Sequence, residues 1–170
     1  MEEKKQLFRE LPFYKAIKEN YKYQSVYLVG GAVIDLLEDR TPKDYDLIGL
    51  SYSNLDKLKT LGFEFIEDSK TAITLKYENL EVQLLKGIIE EFDYTISQSK
   101  FNFSDDAITV CKHSFDSKVL IPTQHTYDSK SKSINALKRS IHYAKKGYSL
   151  PEKTFLSLLN NVSAKGGVKS

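Results

Sequence analysis

The chain has 170 residues, with 25 Lys and Arg against 23 Asp and Glu, 12% aromatic residues and one cysteine. That length holds one domain with a real core, or one domain with a small helical appendage, and the near-balanced charge argues for no particular partner. The lone Cys111 excludes a disulfide framework and suits a reducing, cytoplasmic compartment, while the start MEEKKQLF lacks the apolar run of a signal peptide and no stretch approaches the ~20 apolar residues of a membrane span.

In chain order, residues 3–20 suit an amphipathic helix interrupted by Pro12, with Leu7, Phe8, Leu11, Tyr14 and Ile17 facing a core. Val26–Val29 reads as a buried strand, Gly30-Gly31 as a turn and Ala32–Leu37 as a helix. A polar break, Glu38–Lys43, leads into Asp44-Tyr45-Asp46-Leu47-Ile48, the start of a second strand. Ser53-Asn54 caps a short helix, Leu55–Leu61, which Gly62 ends. Phe63–Asp68, Thr71–Tyr77 and Leu80–Leu85 read as strands, and their two-residue links read as hairpins. Residues 86–100 give no clear pattern. Ala107–Cys111 and Lys118–Ile121 read as further strands, with Cys111 a buried, inert thiol. Pro122–Ser133 is loop-like. Ile134–Lys146 has helical spacing through Ile134, Leu137, Ile141 and Ala144, and Pro151 opens a last helix, Glu152–Leu159. The tail 163–170 is small, polar and expected to be disordered. His113, His125 and His142 show no metal-site spacing.

The stretch 25–50 carries the chemistry. A double glycine between strand and helix lets a ligand approach the backbone with no Cβ in the way, and the helix start offers free N–H groups to an anion such as a phosphate. Asp44 and Asp46 stand at i and i+2 of a strand, so they share a face with Cα atoms roughly 7 Å apart. Two such carboxylates repel unless they share a proton or a cation, and a hard divalent ion such as Mg²⁺ is the usual cation where phosphates are handled. Glu81, at the start of another apolar strand, is the candidate third acid. A phosphate cradle with three carboxylates is the layout of two-metal phosphoryl or nucleotidyl transfer. Arg40 and Lys43, beside these acids, either neutralise phosphate charge or are solvated loop charges.

The segment LVGGAVIDLLEDRTPKDYDLI resembles the head-domain motif L-V-G-G-x-V-R-D-x-L-L-G-x-x-P-x-D-x-D of the class II poly(A) polymerase and tRNA CCA-adding family, within the DNA polymerase β-like nucleotidyltransferase superfamily. Leu80-Glu81-Val82 resembles that family's strand with the third carboxylate. Asp93-Tyr94-Thr95-Ile96 resembles its D-F-T-I-N motif, and Arg139–Ala144 with Gly147-Tyr148 and Pro151–Thr154 its neck helix and sequel. The resemblance covers residues 25–160. It implies an α+β fold with a mixed sheet of about five strands flanked by helices, a head domain over 1–130 and a short helical neck over 131–162. It also implies two Mg²⁺ ions (Mn²⁺ being possible) on Asp44, Asp46 and Glu81, with an NTP and an RNA acceptor as partners. Gly30 and Gly31 would hold the triphosphate. Asp93 would contact the ribose or cap a turn. Arg139 and Lys138 would reach a nucleotide or RNA backbone, or simply form an exposed helix face.

The chain departs from the family pattern at Ile34 and Phe92, where the family has arginines, and at Ser97, where it has asparagine. Gln98-Ser99 replace its small apolar residues. The loop between Glu81 and Asp93 is much shorter. The places of the base-selecting E-D-x-x-R motif hold Lys132, Ser133 and Ala136. Three readings follow: an NTP-dependent nucleotidyltransferase; a weak or inactive domain of this kind that binds RNA or a protein; and an enzyme that nucleotidylates a small molecule or protein.

Overall fold

The computed structural model describes residues 1–164; residues 165–170, most of the expected disordered tail, lie outside the described residues, and Ser163 is helical. The chain forms two compact units that interleave in sequence. One comprises Met1–Ile89 and Ser99–Thr109, the other Glu90–Gln98 and, among the described residues, 110–164.

The first unit is built on a seven-stranded mixed sheet in the order β3-β4-β5-β2-β1-β6-β7. The strands are β1 (Tyr27–Val29), β2 (Tyr45–Ile48), β3 (Phe63–Asp68), β4 (Ala72–Tyr77), β5 (Leu80–Leu85), β6 (Lys100–Asn102) and β7 (Ile108–Thr109). Its helices are α1 (Glu2–Arg9), α2 (Tyr14–Asn20), α3 (Gly31–Leu37) and α4 (Leu55–Thr60). β2 and β5 run parallel; the other neighbouring pairs among the described residues are antiparallel. The expected α+β class holds, with seven strands in place of about five. The two further strands are β7, a shortened form of the expected strand Ala107–Cys111, and β6, which at three residues is too short to show a period-2 pattern. Lys118–Ile121 is no strand of the sheet: Val119 makes an isolated bridge to Ser149.

One face of the sheet is the core. Leu28, Leu47, Val82, Leu84, Ile73, Leu75 and Phe101 are all buried there. Pro12 separates α1 from α2 as expected, and the kink drops Phe13 into this face. Its ring stands edge-on to Tyr45 at 5.4 Å, while Phe8 stacks on Phe101 at 4.6 Å. α4 starts with Asn54, one of the two expected capping residues, at its N-cap; the 3₁₀ turn Tyr52–Asn54 before it has its own capping box at Ser51, whose N–H donates to Asn54 Oδ1 at 2.9 Å. Gly49 has φ +108°, and a Cβ there would lie 2.1 Å from the Ser25 carbonyl oxygen, so only glycine fits.

The helical layer is tied to the sheet through Asp106. Its carboxylate accepts from Arg9 Nε at 2.8 Å, Tyr14 OH at 2.7 Å and Lys18 Nζ at 3.2 Å. Burial pushes its pKa up, but these three donors together outweigh burial and hold it below the ordinary value of 3.8.

The second unit contains α5 (Lys112–Ser117), α6 (Lys130–Ala144) and α7 (Glu152–Ser163). Cys111 is half-buried and precedes α5, so the expected strand Ala107–Cys111 is cut to Ile108–Thr109 and the thiol is not fully enclosed. α6 begins four residues earlier than its apolar spacing suggests, because the Ser129 hydroxyl accepts from Lys132 N–H. Its buried face is also rotated from the expected one. Ser133, Ala136 and Tyr143 are buried, while Ile134 and Ile141 are exposed. Small residues win because Tyr94 OH donates to the Ala136 carbonyl at 2.6 Å and Ser133 Oγ donates to the Thr126 carbonyl at 2.8 Å. No helix among the described residues is long and apolar enough to cross a membrane.

Asp106→Asn is expected to destabilise the protein by on the order of 2 kcal/mol, since it weakens three charge-assisted hydrogen bonds, two of them ion pairs. Because the folded-state pKa is lowered, Asp106 contributes fully above the ordinary value of 3.8, and the contribution fades as pH falls through and below it. Urea unfolding at pH 7 and across pH 5 to 2 checks both: the wild-type advantage over the variant should shrink in that acidic window.

Candidate functional site

β1 delivers the chain to Gly30, whose φ of 74° and ψ of −142° lie where a Cβ is not tolerated. Its N–H donates to the Ser99 carbonyl at 3.0 Å, and its own carbonyl accepts from Val33 N–H at 3.1 Å. Gly31 then begins α3, which is buried at Ala32, Val33, Ile34, Asp35 and Leu37. Ile34, at the place of the family's arginine, is thus a core residue.

The turn after α3 is pinned by charge. Arg40 Nε donates to Asp35 Oδ1 at 3.0 Å and a terminal guanidinium nitrogen to Glu38 Oε1 at 2.6 Å. The Arg40 backbone N–H also donates to the Asp35 carbonyl at 2.7 Å. Arg40 is therefore engaged with the end of α3. Lys43, beyond the buried Pro42, is exposed. This fixed turn hands the chain to Asp44 and β2.

The register of β2 against β5 sets the acids. Tyr45 pairs with Val82, Asp46 with Gln83 and Leu47 with Leu84. Directly paired residues share a face, so Tyr45, Leu47, Val82 and Leu84 take the core side. Asp46 and Gln83 take the other side. The same alternation carries Asp44, one residue before β2, and Glu81, one residue before Val82, to that side too. Asp44 and Asp46 are half-buried and Glu81 is exposed. Oδ1 of Asp46 is shut off from solvent. Gln83 Nε2 donates to Glu81 Oε2 at 3.4 Å. The backbone thus brings Asp44, Asp46 and Glu81 to one face of two adjacent strands. Among the described residues, no three His, Cys, Asp or Glu side chains are gathered closely enough to hold one metal ion. The donors are nonetheless all carboxylate oxygens, the chemistry that a hard divalent cation takes.

Asp93 and Arg139 belong to the second unit. Arg139 Nε lies 2.8 Å from Asp93 Oδ2. Ser97, at the place of the family's asparagine, donates to Asp93 Oδ1 at 3.3 Å and shares a 2.8 Å hydrogen bond with Tyr143 OH. Burial pushes the Asp93 carboxyl above its ordinary value, with Arg139 and Ser97 pulling the other way. Gln83 is the residue near the acids that sequence reasoning missed. Its signal is its spacing, two residues after Glu81 on the same strand face.

No model of a known protein family matches the chain, and no curated protein matches it. Solved structures do. A CCA-adding enzyme of Thermotoga maritima in complex with tRNA superposes with a TM-score of 0.72 at 17% identity, over 93% of this chain and 44% of that one. A CCA-adding enzyme in complex with CTP gives 0.73 at 16% identity over 95% and 44%. One in complex with ATP gives 0.72 at 18% identity over 96% and 44%. The chain therefore has the nucleotidyltransferase fold found in CCA-adding enzymes, and it spans less than half the length of those structures.

Gly30→Ala is expected to cost about 1–3 kcal/mol, because alanine must either strain at this φ and ψ or move the β1–α3 turn. Denaturant unfolding measures it; a loss under about 0.5 kcal/mol would show that the turn has no need of glycine.

Proposed function

We propose that the protein is an NTP-dependent nucleotidyltransferase that moves a nucleoside monophosphate onto an acceptor hydroxyl, RNA being the acceptor, with release of pyrophosphate. The observation that carries this reading is the β2–β5 register, which sets Asp44 and Asp46 beside Glu81 on the face opposite the core. The fold and the CTP, ATP and tRNA bound to the similar enzymes support it.

Asp44, Asp46 and Glu81 would hold Mg²⁺, two ions in number, with Mn²⁺ as a substitute, once their side chains turn toward it from the more open arrangement of this structure. When bound, the metal neutralises triphosphate charge and polarises the phosphate under attack. Gln83 orients Glu81 through its hydrogen bond. Gly30, buried with its N–H on Ser99, shapes the turn, the half-buried Gly31 would let a triphosphate approach the backbone, and the exposed Lys43 adds positive charge beside Asp44. A cytoplasmic setting suits the single half-buried thiol.

A second reading, a weak or inactive domain of this fold that binds RNA or protein, draws on two observations. Ile34 is fully buried where the family has an arginine, and the Arg40 guanidinium is already committed to Asp35 and Glu38.

The test supplies each labelled NTP with Mg²⁺ or Mn²⁺ and total cellular RNA. Label should pass to RNA, and Asp44→Asn and Asp46→Asn should each cut the rate at least about a hundredfold. Label on protein or a small molecule would reassign the acceptor. No transfer anywhere, with no metal-dependent NTP binding, would leave the second reading standing.

A further inference from the structure

Basic charge is concentrated on one element of the second unit. Residues 130–146 hold six of the chain's 25 Lys and Arg and none of its 23 Asp and Glu, so the rest of the chain is net acidic. Of these six, Arg139 is taken by Asp93, and Lys132 lies 3.8 Å from Asp128. Lys138 and Lys145 are exposed and form no ion pair among the described residues.

Helical spacing makes this charge a stripe. Ser131, Asn135, Lys138, His142 and Lys145 follow at i, i+4, i+7, i+11 and i+14, which is one face about 21 Å long. Lys145 keeps helical dihedrals at the end of α6. All five side chains are exposed, on the side of α6 away from buried Ala136 and Tyr143. Each offers a hydrogen-bond donor or a positive charge, and none is a carboxylate. A helix face that serves only solubility mixes signs, because like charges at i,i+4 and i,i+3 spacing cost stability. Among the described residues, neither Lys138 nor Lys145 has an ion-pair partner that would explain keeping such a stripe. Lysines about 10 Å apart, set among small polar donors, suit the phosphates of a nucleic-acid strand, which position a ligand without reading its sequence.

We propose that this outer stripe of α6 is a contact surface for the sugar-phosphate backbone of the RNA acceptor. The proposal rests on the reading of the protein as an RNA-directed nucleotidyltransferase and adds to it a place where RNA is held. Binding through the stripe is independent of base sequence and weakens steeply with salt.

The test measures binding of the full chain to an unstructured, fluorescently labelled RNA oligonucleotide by anisotropy, without NTP, over a salt series. Lys138→Ala/Lys145→Ala should lower the slope of log affinity against log salt by about 1.4 and weaken binding roughly 25-fold at 0.1 M salt. The charge-matched control Lys15→Ala/Lys22→Ala, at exposed positions of the first unit, should leave slope and affinity close to wild type. Thermal unfolding establishes that both variants are folded. An unchanged slope in the α6 variant, equal losses in both pairs, or no RNA binding by the wild type at low salt would each overturn the proposal. Label transfer run in parallel separates the two ideas. RNA bound through α6 with no transfer sinks the enzyme and keeps the surface. Transfer to RNA with the α6 variant binding normally does the reverse.

Discussion

Parallel strands cannot be joined by a tight turn, so the pairing of β2 with β5 forces the chain through α4, β3 and β4 before it can return. Everything at the candidate site depends on the register of that pairing. A slip of one residue would carry Asp46 into the core and turn Tyr45 and Leu47 out to the other face. Tyr45, Leu47, Val82 and Leu84 are all buried, each at 4% exposure or less. At about 1.5–3 kcal/mol for each of Tyr45 and Leu47, the slip forfeits on the order of 3–6 kcal/mol, a large part of a domain's whole stability. The hydrophobic face therefore fixes where the carboxylates stand, and the carboxylates need contribute nothing to the fold.

That separation shows in how the acids are treated. Asp35, Asp93 and Asp106 are each met by an arginine, at 3.0, 2.8 and 2.8 Å. These acids are structural: one closes the end of α3, one braces the second unit, and one ties α1 and α2 to the sheet's far end. Asp44 and Glu81, by contrast, form no ion pair among the described residues. Asp44 and Glu81 thus carry none of the structural duty of Asp35, Asp93 and Asp106, which is what the proposed metal role requires of them.

Much of this was legible in the residues. Strand, double glycine, helix and acid-bearing strand fall where Val26–Ile48 suggests, because each is a local pattern with its own punctuation. The β3–β4–β5 meander was equally readable from its alternation and short links. The misses have a common cause: they are set by partners distant in sequence. β6 has only Lys100-Phe101-Asn102 to announce itself, and it is a strand because β1 offers an edge. The buried face of α6 is chosen by Tyr94 and Thr126 reaching for backbone and hydroxyl groups, so Ser133 and Ala136 go inside and Ile134 and Ile141 stay out. At the site, the sequence marks Asp44 and Asp46 by spacing, but the neighbourhood of Glu81 and Gln83 follows from strand order, which no local pattern encodes. Arg40 illustrates the same limit: its place beside the acids is plain, while its engagement with Asp35 and Glu38 needs the turn to be built first.

The interleaving of the two units bears on how the protein is made. The first unit takes its last strands from Ser99–Thr109, after the chain has left it for Glu90–Gln98. When Ile89 leaves the ribosome, β1 has β2 on one side and an open edge on the other. The strand that closes that edge is still to be translated, and at roughly 5–20 residues per second the wait for residue 109 lasts on the order of 1–4 s. During that interval the nascent sheet presents the unpaired backbone of Tyr27–Val29. A trigger-type chaperone or a neighbouring nascent chain would meet this edge first. It follows as well that no single cut divides the chain into its two units: a fragment ending before Ser99 has the carboxylates but lacks the strands that finish their sheet.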